Sequence, residues 1–468
     1  MKTTLINPYG MSYYGEIRYP SIFPLGLAQI MAAAKQRGHE VDLLDCDLDD
    51  IKPDSPKFRT EIEARSPDIV GVPFWTFNKH IIHETLTVVK DLKDTITVVG
   101  GPDPSVNKGK CVKHPAIDYG FIGEAETGFP MLIEALESKS RDYSHIPGLI
   151  YTVDGVQHVN PQAYPSNFSD FEVDYDAMQL RKYHELGYNY GPGNKVSAPI
   201  QATRGCPYQC QFCSASIING TQIRVTPIPK LVSTINRLYH SYGVRAINFV
   251  DDNFTFYRDY VMGFCEAIKK EGHRDLTFSS PNGVHLETLD YELLQSMWEA
   301  GWRSLMVSPE SGSNRTLTRM KKRVDLEDVP RKVQMIKDAG MLVTGSFIIG
   351  YPGETMCDIE LTSVFTRSCG FDMISVNKFQ PLPGTPVFNE LVECGEIAPD
   401  FIPVDTMGSC KYAPRGMTPE QLDRVHRGIY LKFYSNPLRV YGTIKSAGIK
   451  RSIKRLLWLY SPGWLKNE

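Results

Sequence analysis

The chain has 468 residues, too many for one ordinary core, which predicts two or three domains. Its 42% hydrophobic and 22% charged residues are ordinary for a soluble globular protein, so neither a disordered chain nor a fibre is expected. A net charge of -3 offers no basic field, and no nucleic-acid partner is expected.

The opening MKTTLINPYG has no signal-peptide core, because Pro8 and Gly10 interrupt it, and no uncharged apolar run reaches the length of a membrane span. The ten cysteines are scattered except for one trio, which suits a reduced, cytoplasmic protein better than a disulfide framework. Residues 1–140 alternate short apolar runs with amphipathic ones, the pattern of a parallel α/β sheet. Strands are expected at TTLINP, EVDLLD, DIVGVPF, TVVGG and YGFIG. In LGLAQIMAAAKQRG, Leu27, Ile30, Met31 and Ala34 share one helical face and Gly38 ends the helix. Ligands of such a Rossmann-like domain bind at the carboxyl ends of the strands, which read NPYG, DCDLDD, PFWTFN, GGPDPS and GEAE.

Residues 141–195 break that rhythm: GLIYTVDGVQHVNP predicts a hairpin turning at Asp154-Gly155, followed by a connector ending at GYNYGPGNKVSAP. From 196 to 395 the alternation returns with six strands, APIQATRG, RAINFVDD, TFSSPNG, SLMVSPES, VTGSFIIG and MISVNKFQ. Six β/α units are too few for a closed eight-fold barrel, so an open, partial (β/α)6 barrel is expected, with chemistry at its C-terminal mouth. Residues 396–468 form a helical extension, with EQLDRVHRGIYLKFY and the basic GIKRSIKRLLWLY. A solvated basic face on a packing helix is the plainer reading of these segments, and contact with a membrane surface the weaker one.

Cys206, Cys210 and Cys213 in TRGCPYQCQFCSAS follow a CxxxCxxC spacing just after the first strand of the second half. A structural zinc site wants four ligands, usually as two spaced pairs. Here Cys46, Cys111, Cys265, Cys357, Cys369, Cys394 and Cys410 are all solitary, and no histidine lies nearby in sequence. Three clustered thiolates suit an iron–sulfur cluster with one iron left open.

With Phe212 before its third cysteine, this loop resembles that of the radical S-adenosylmethionine (AdoMet) superfamily. The resemblance implies a 4Fe–4S cluster on Cys206, Cys210 and Cys213 whose open iron chelates AdoMet. It also implies reductive cleavage to a 5′-deoxyadenosyl radical, with electrons from a flavodoxin- or ferredoxin-type donor. It places the methionine amino group near Asp251, Asp252 and Asn253 in FVDDNFTF, and ribose and carboxylate near Glu310 and Ser311 in SPESGS. Adenine would lie against Ile348 and Gly350 in GSFIIGYPGET. FQPLPGTPVF resembles the end of the sixth strand in one large subgroup. Read singly, DDNF is a helix cap and GYPGET a turn; their order behind the cysteine loop supports the functional reading.

Residues 1–140 resemble that subgroup's cobalamin-binding domain, and the resemblance implies cobalamin contacts at Thr76, Gly100, Gly101 and Pro102. Asp103 stands where the subgroup usually has histidine. No D-x-H-x-x-G occurs, and His39 reads as a turn residue, so a lower corrin face without a histidine ligand is expected. Phe74 and Trp75 shield that face in one reading, while Trp75 is core in the other. The leading expectation is a cobalamin-dependent methyltransferase acting on an unactivated carbon of a small or lipid-like molecule. The alternative is a radical dehydratase, cyclase or rearranging enzyme. A methylthiotransferase lacks its second cysteine trio, and a non-enzymatic binding protein leaves the ordered motifs unexplained. No catalytic side chain beyond the cofactor contacts is assigned from the sequence.

Overall fold

The computed structural model describes residues 1–10, 13–14, 17–18, 23–165, 168–171, 173–186, 195–403 and 410–447. GIKRSIKRLLWLY, and with it the membrane-surface expectation, lies outside the described residues. Among the described residues no helix is long and apolar enough to cross a membrane.

The first sheet has seven strands: β1 Thr3–Asn7, β2 Val41–Asp45, β3 Ile69–Pro73, β4 Ile96–Gly100, β5 Tyr119–Phe121, β6 Leu149–Val153 and β7 Val156–Val159. Their order is β2-β1-β3-β4-β5-β6-β7. The first five strands run parallel, and β6 and β7 are added antiparallel. The expected hairpin at Asp154-Gly155 thus forms and extends this sheet instead of standing in a free connector. All five residues of β1 are buried, as a parallel strand covered on both faces requires. The chain switches direction between β1 and β3, and the crevice at such a switch point is where doubly wound sheets bind ligands.

The second sheet has six strands: β8 Ser197–Ile200, β9 Ala246–Phe249, β10 Thr277–Val284, β11 Trp302–Glu310, β12 Leu342–Ile349 and β13 Met373–Lys378. They are paired in that order and all parallel, with no bond closing β8 to β13. This is the expected open barrel. Burial alternates along β12 and β13. Val343, Phe347 and Val376 pack against the covering helices, and Ser308, Thr344, Ser346, Ile348, Ser375 and Asn377 face the half-open interior. Polar side chains thus share that inner face with Ile348 and Met306, where a closed barrel packs it with bulky aliphatic ones.

Helix Pro419–Tyr434 packs through Leu422, Ile429, Tyr430 and Phe433. It also caps the open edge: the Val376 N–H donates to Tyr430 Oη at 2.8 Å, and His426 Nε2 lies 2.8 Å from the Val376 carbonyl. Burial pushes His426 down to about 4, so a neutral ring donates that bond.

Residues 173–186 join the two sheets. Tyr183 stacks on Phe23 at 4.2 Å and donates to Asp45 Oδ2 at 2.5 Å, and Tyr175 donates to the Pro199 carbonyl at 3.1 Å. Asp45 is 3% exposed, and burial pushes its carboxyl up to about 6, against hydrogen bonds from Tyr183, Leu48 and Asn7. A folded-state value above the unfolded one gives stability that is present in full below the unfolded value and is lost as pH rises through the folded one. Between pH 4 and 7 the wild type should lose about 2–3 kcal/mol of unfolding free energy relative to Asp45→Asn. Denaturant titrations of both proteins across that range check this; parallel curves would remove Asp45 as the cause.

Candidate active site

The cysteine loop leaves β8 through a short antiparallel pair, Thr203–Arg204 with Arg224–Val225. Gly205 sits at φ +101, and a Cβ there would lie 2.2 Å from the Gln222 carbonyl oxygen, so only glycine makes this entry. The loop is held by backbone bonds. Cys206 N–H donates to Gly220 O at 3.0 Å, Gln211 N–H to Met320 O at 3.0 Å, and Val387 N–H to Gln211 O at 3.2 Å.

Cys206, Cys210 and Cys213 are unpaired and partly exposed. Burial pushes all three thiols up, Cys213 to about 12, and each has another member of the trio among its electrostatic neighbours or acts on one. The Ala215 N–H approaches Cys213 Sγ at 3.4 Å. Among the described residues no three His, Cys, Asp or Glu side chains are arranged to hold one metal ion, so the trio is not a preformed mononuclear site. Three thiols kept protonated by burial and by one another ionise together only when a strongly positive centre compensates them. That donor set fits an iron–sulfur cluster.

Phe212 and Ile348 both pack against a small apolar cluster that includes Met320, Tyr351 and Phe379, with Phe212 edge-on to the Tyr351 ring. Asp251 is 1% exposed; its Oδ1 accepts from the Thr203 N–H and, at 2.7 Å, from Thr203 Oγ1. Burial pushes its carboxyl up to about 7, against hydrogen bonds from Thr203 and the Ala202 backbone. Asp252 is turned to the other side, accepting from Asn219 Nδ2 at 2.8 Å, and its charge reaches Cys206 and Cys213. Asn253 accepts from the His285 N–H at 3.4 Å, and its buried Nδ2 has no hydrogen-bond partner among the described residues.

Glu310 ends β11 at φ +68, a conformation costly for a non-glycine residue and found where a site over-determines it. It is paired with Lys322 Nζ at 3.0 Å. Burial works against that ammonium, but Glu310 and the thiols of Cys210 and Cys213 outweigh it and hold Lys322 above its ordinary value. Ser311 does not join Glu310 there: it is fully buried, with Oγ 3.1 Å from Thr362 Oγ1. Gly350, at φ +79, lies under Leu422, whose Cδ2 would be 2.4 Å from an added Cβ. The Gly350 N–H donates to Glu354 Oε2 at 2.6 Å, and burial pushes Glu354 up to about 8. Tyr208 stacks on His285 at 4.3 Å; burial, with Lys322 and Arg323 adding to it, pushes that ring down to about 4.

In the first domain, the Phe74 N–H donates to Gly100 O at 2.7 Å and the Asp103 N–H to Phe74 O at 2.9 Å. The Thr76 and Asn107 side chains hydrogen-bond the Asp103 carboxyl, which burial pushes up. Thr76, Gly100, Gly101 and Pro102 therefore share one rim. A Cβ on Gly100 or Gly101 would come no closer than van der Waals contact, with Phe121 at 3.9 Å and the Phe74 backbone at 3.6 Å, and Gly101 takes a φ of +98 that favours glycine. Phe74 is core, whereas Trp75 and Phe77 are 38% and 39% exposed beside the rim. The core reading of Trp75 is thereby corrected. His39 precedes β2, at the opposite end of the sheet from this rim. Sequence reasoning missed Lys322, Tyr208 and His285; only proximity in the fold marks them.

Residues 200–365 match the Radical SAM superfamily, and residues 18–133 match the B12 binding domain. An uncharacterized methyltransferase of Pyrococcus horikoshii is 28% identical over 98% of this chain and 99% of its own length. The anaerobic magnesium-protoporphyrin IX monomethyl ester cyclase of Rubrivivax gelatinosus is 27% identical over 93% of this chain and 78% of its own. Among solved structures, the radical S-adenosylmethionine methyltransferase TsrM of Kitasatospora setae, with cobalamin and a [4Fe-4S] cluster bound, shares the fold. Its TM-score is 0.69 at 20% identity, covering 84% of this chain and 78% of that one. In the order that the two sheets take, residues 18–133 thus carry a B12-binding domain and residues 200–365 a radical SAM domain.

Proposed function

We propose that the protein is a cobalamin-dependent radical AdoMet methyltransferase acting on an unactivated carbon of a small or lipid-like molecule. In this reading it is reduced by a flavodoxin- or ferredoxin-type donor. The observation that carries the reading is the meeting of the two strand-end rims. Helix Pro102–Asn107, which starts at the Gly100-Gly101 rim, packs on helix Ala215–Asn219, which follows the third cysteine. Gly384, at φ +80, lets the loop after β13 come so close that an added Cβ would lie 2.9 Å from Val106 Cβ.

A 4Fe–4S cluster on Cys206, Cys210 and Cys213 would supply one-electron cleavage of AdoMet, and cobalamin at the Thr76, Gly100, Gly101 and Pro102 rim would supply the methyl group. The rest falls to the chain. Asp252 and Asn253 receive the methionine amino group, and the Glu310–Lys322 pair fixes the carboxylate-and-ribose end. Ile348 and Phe212 give adenine an apolar wall, with Gly350 and Ser311 shaping the backbone behind it. Trp75 and Phe77 screen the open rim from water. The polar side chains on the inner face of the barrel would line the substrate. The likeness to a cyclase favours a second reading, in which the same radical site cyclises or dehydrates its substrate without methyl transfer.

Reconstituted protein should hold about one cluster and about one cobalamin per chain, and replacing all three cysteines with alanine should abolish the cluster and AdoMet cleavage together. The cob(II)alamin EPR spectrum should lack nitrogen superhyperfine splitting; such splitting would show the nucleotide base or a protein histidine ligated and overturn the expected histidine-free lower face. Cluster-dependent AdoMet cleavage with no retained cobalamin would decide for the second reading.

Asp252→Ala should weaken AdoMet binding about tenfold at unchanged iron content, as loss of a charge-assisted hydrogen bond implies. Lys322→Met leaves the Glu310 carboxylate buried and unpaired and should cost about 3–5 kcal/mol, while the double change with Glu310→Gln should cost less than Lys322→Met alone. Denaturation of the cluster-loaded proteins checks this pair. An additive double variant would show that the two side chains act separately.

A further inference from the structure

Two arginines and two glutamates are buried together where the first sheet meets the barrel. Glu124 and Glu126 belong to the GEAE turn after β5. Arg204 precedes the first cysteine by two residues, and Arg224 lies directly opposite Arg204 in the short antiparallel pair. Arg204 Nη1 is 2.9 Å from Glu124 Oε2, and its Nη2 is 2.6 Å from Glu126 Oε1. Arg224 grips the same Glu124 through Nη1, at 2.9 Å, and through Nη2. The side chains of Arg204 and both glutamates are 5% exposed, and that of Arg224 is 11% exposed.

Further contacts fill the gap. Arg204 lies 4.7 Å over the Phe168 ring, and Arg224 also donates to the carbonyls of Pro165 and Asn219, each at 2.9 Å. A buried charge network of this kind adds little net stability, because desolvation offsets much of the attraction. Its particular capacity is geometric: a planar guanidinium fork spans two carboxylates in few arrangements.

We propose that Arg204, Glu124, Glu126 and Arg224 form a positioning clamp that sets the separation between the cysteine loop and the Gly100-Gly101 rim. The clamp pins both stems of the loop, one through each arginine, to a single turn of the other domain. That turn continues β5, which is bonded to β4, the strand that carries the rim. Any motion widening the gap has to strip buried carboxylates of their partners. Taken with the proposed function, on which this step rests, the clamp fixes the distance between cluster and corrin.

The test uses the full chain with Glu126→Gln, which keeps shape and removes a charge, and Arg204→Lys, which keeps charge but cannot span both carboxylates. In protein loaded with cluster and cobalamin, pulsed EPR reads the dipolar coupling between the reduced cluster and cob(II)alamin. Hydrogen exchange reads the segment 203–224 in cluster-loaded protein without cobalamin. At wild-type cofactor content, both variants should show a broadened distance distribution and about tenfold faster exchange in that segment. Unchanged coupling and exchange in either fully loaded variant overturns the clamp. If the wild type itself retains no cobalamin, the functional reading fails and exchange alone decides the clamp, unchanged rates overturning it. Should Glu126→Gln not fold, Arg204→Lys carries the same comparison.

Discussion

The three thiols of the cysteine loop ligate iron only as thiolates, and their surroundings oppose that ionisation. Burial raises all three, and the thiols and Asp252 add negative charge around Cys206 and Cys213. Lys322 works the other way on Cys206 and Cys210, and it is itself tied to Glu310. The positive charge that ionises the trio has to arrive with the iron. The loop is accordingly shaped by backbone bonds that do not depend on the thiols. One short segment supplies both the staple and the cation. Helix Asn314–Met320 ends at Lys321 in the left-handed region, which leaves the Met320 carbonyl free for the Gln211 N–H and turns Lys322 back toward the cysteines.

Neighbouring acids divide two tasks in the same way. Asp251 faces the core and ties the turn after β9 to Thr203, one residue before Arg204, so the strand end and the loop entry move as one body. Asp252, in the same turn, points away from Thr203 and meets Asn219. On β11 the pairing register slips between Val307 and Glu310, and Glu310 adopts a positive φ. Both irregularities aim one carboxylate at Lys322.

Most of the architecture was legible because it rests on local pattern. Apolar runs broken by amphipathic helices gave eleven strands near their expected places, and the Asp154-Gly155 turn marked the hairpin. The cysteine spacing and the Gly100-Gly101 rim were legible for the same reason: each is a short motif whose chemistry is carried by adjacent residues. Lys322 was not, since a lysine in TRMKKRV looks like one more solvated charge until the helix end turns it inward. At Gly350, a glycine in a strand-end turn, the side chain that an added Cβ would meet is Leu422, seventy-two residues on. Ser311 adjoins Glu310 in sequence yet is spent on Thr362. Contacts of that range leave no periodic trace in the chain.

The open barrel raises a further demand, because an unclosed parallel sheet exposes unpaired backbone at its last strand. Helix Pro419–Tyr434 meets it with His426 and Tyr430, one turn apart, serving the carbonyl and the N–H of Val376. A charged imidazolium would be costly at that depth, and burial keeps the ring neutral. The same helix sets Leu422 over Gly350 and meets Lys378 through Asp423 at the end of β13. Edge protection, the turn behind the expected adenine wall and the last strand of the barrel mouth thus all depend on one amphipathic helix. The barrel can stay open because that helix serves, at Val376, backbone groups that a closing strand would otherwise pair.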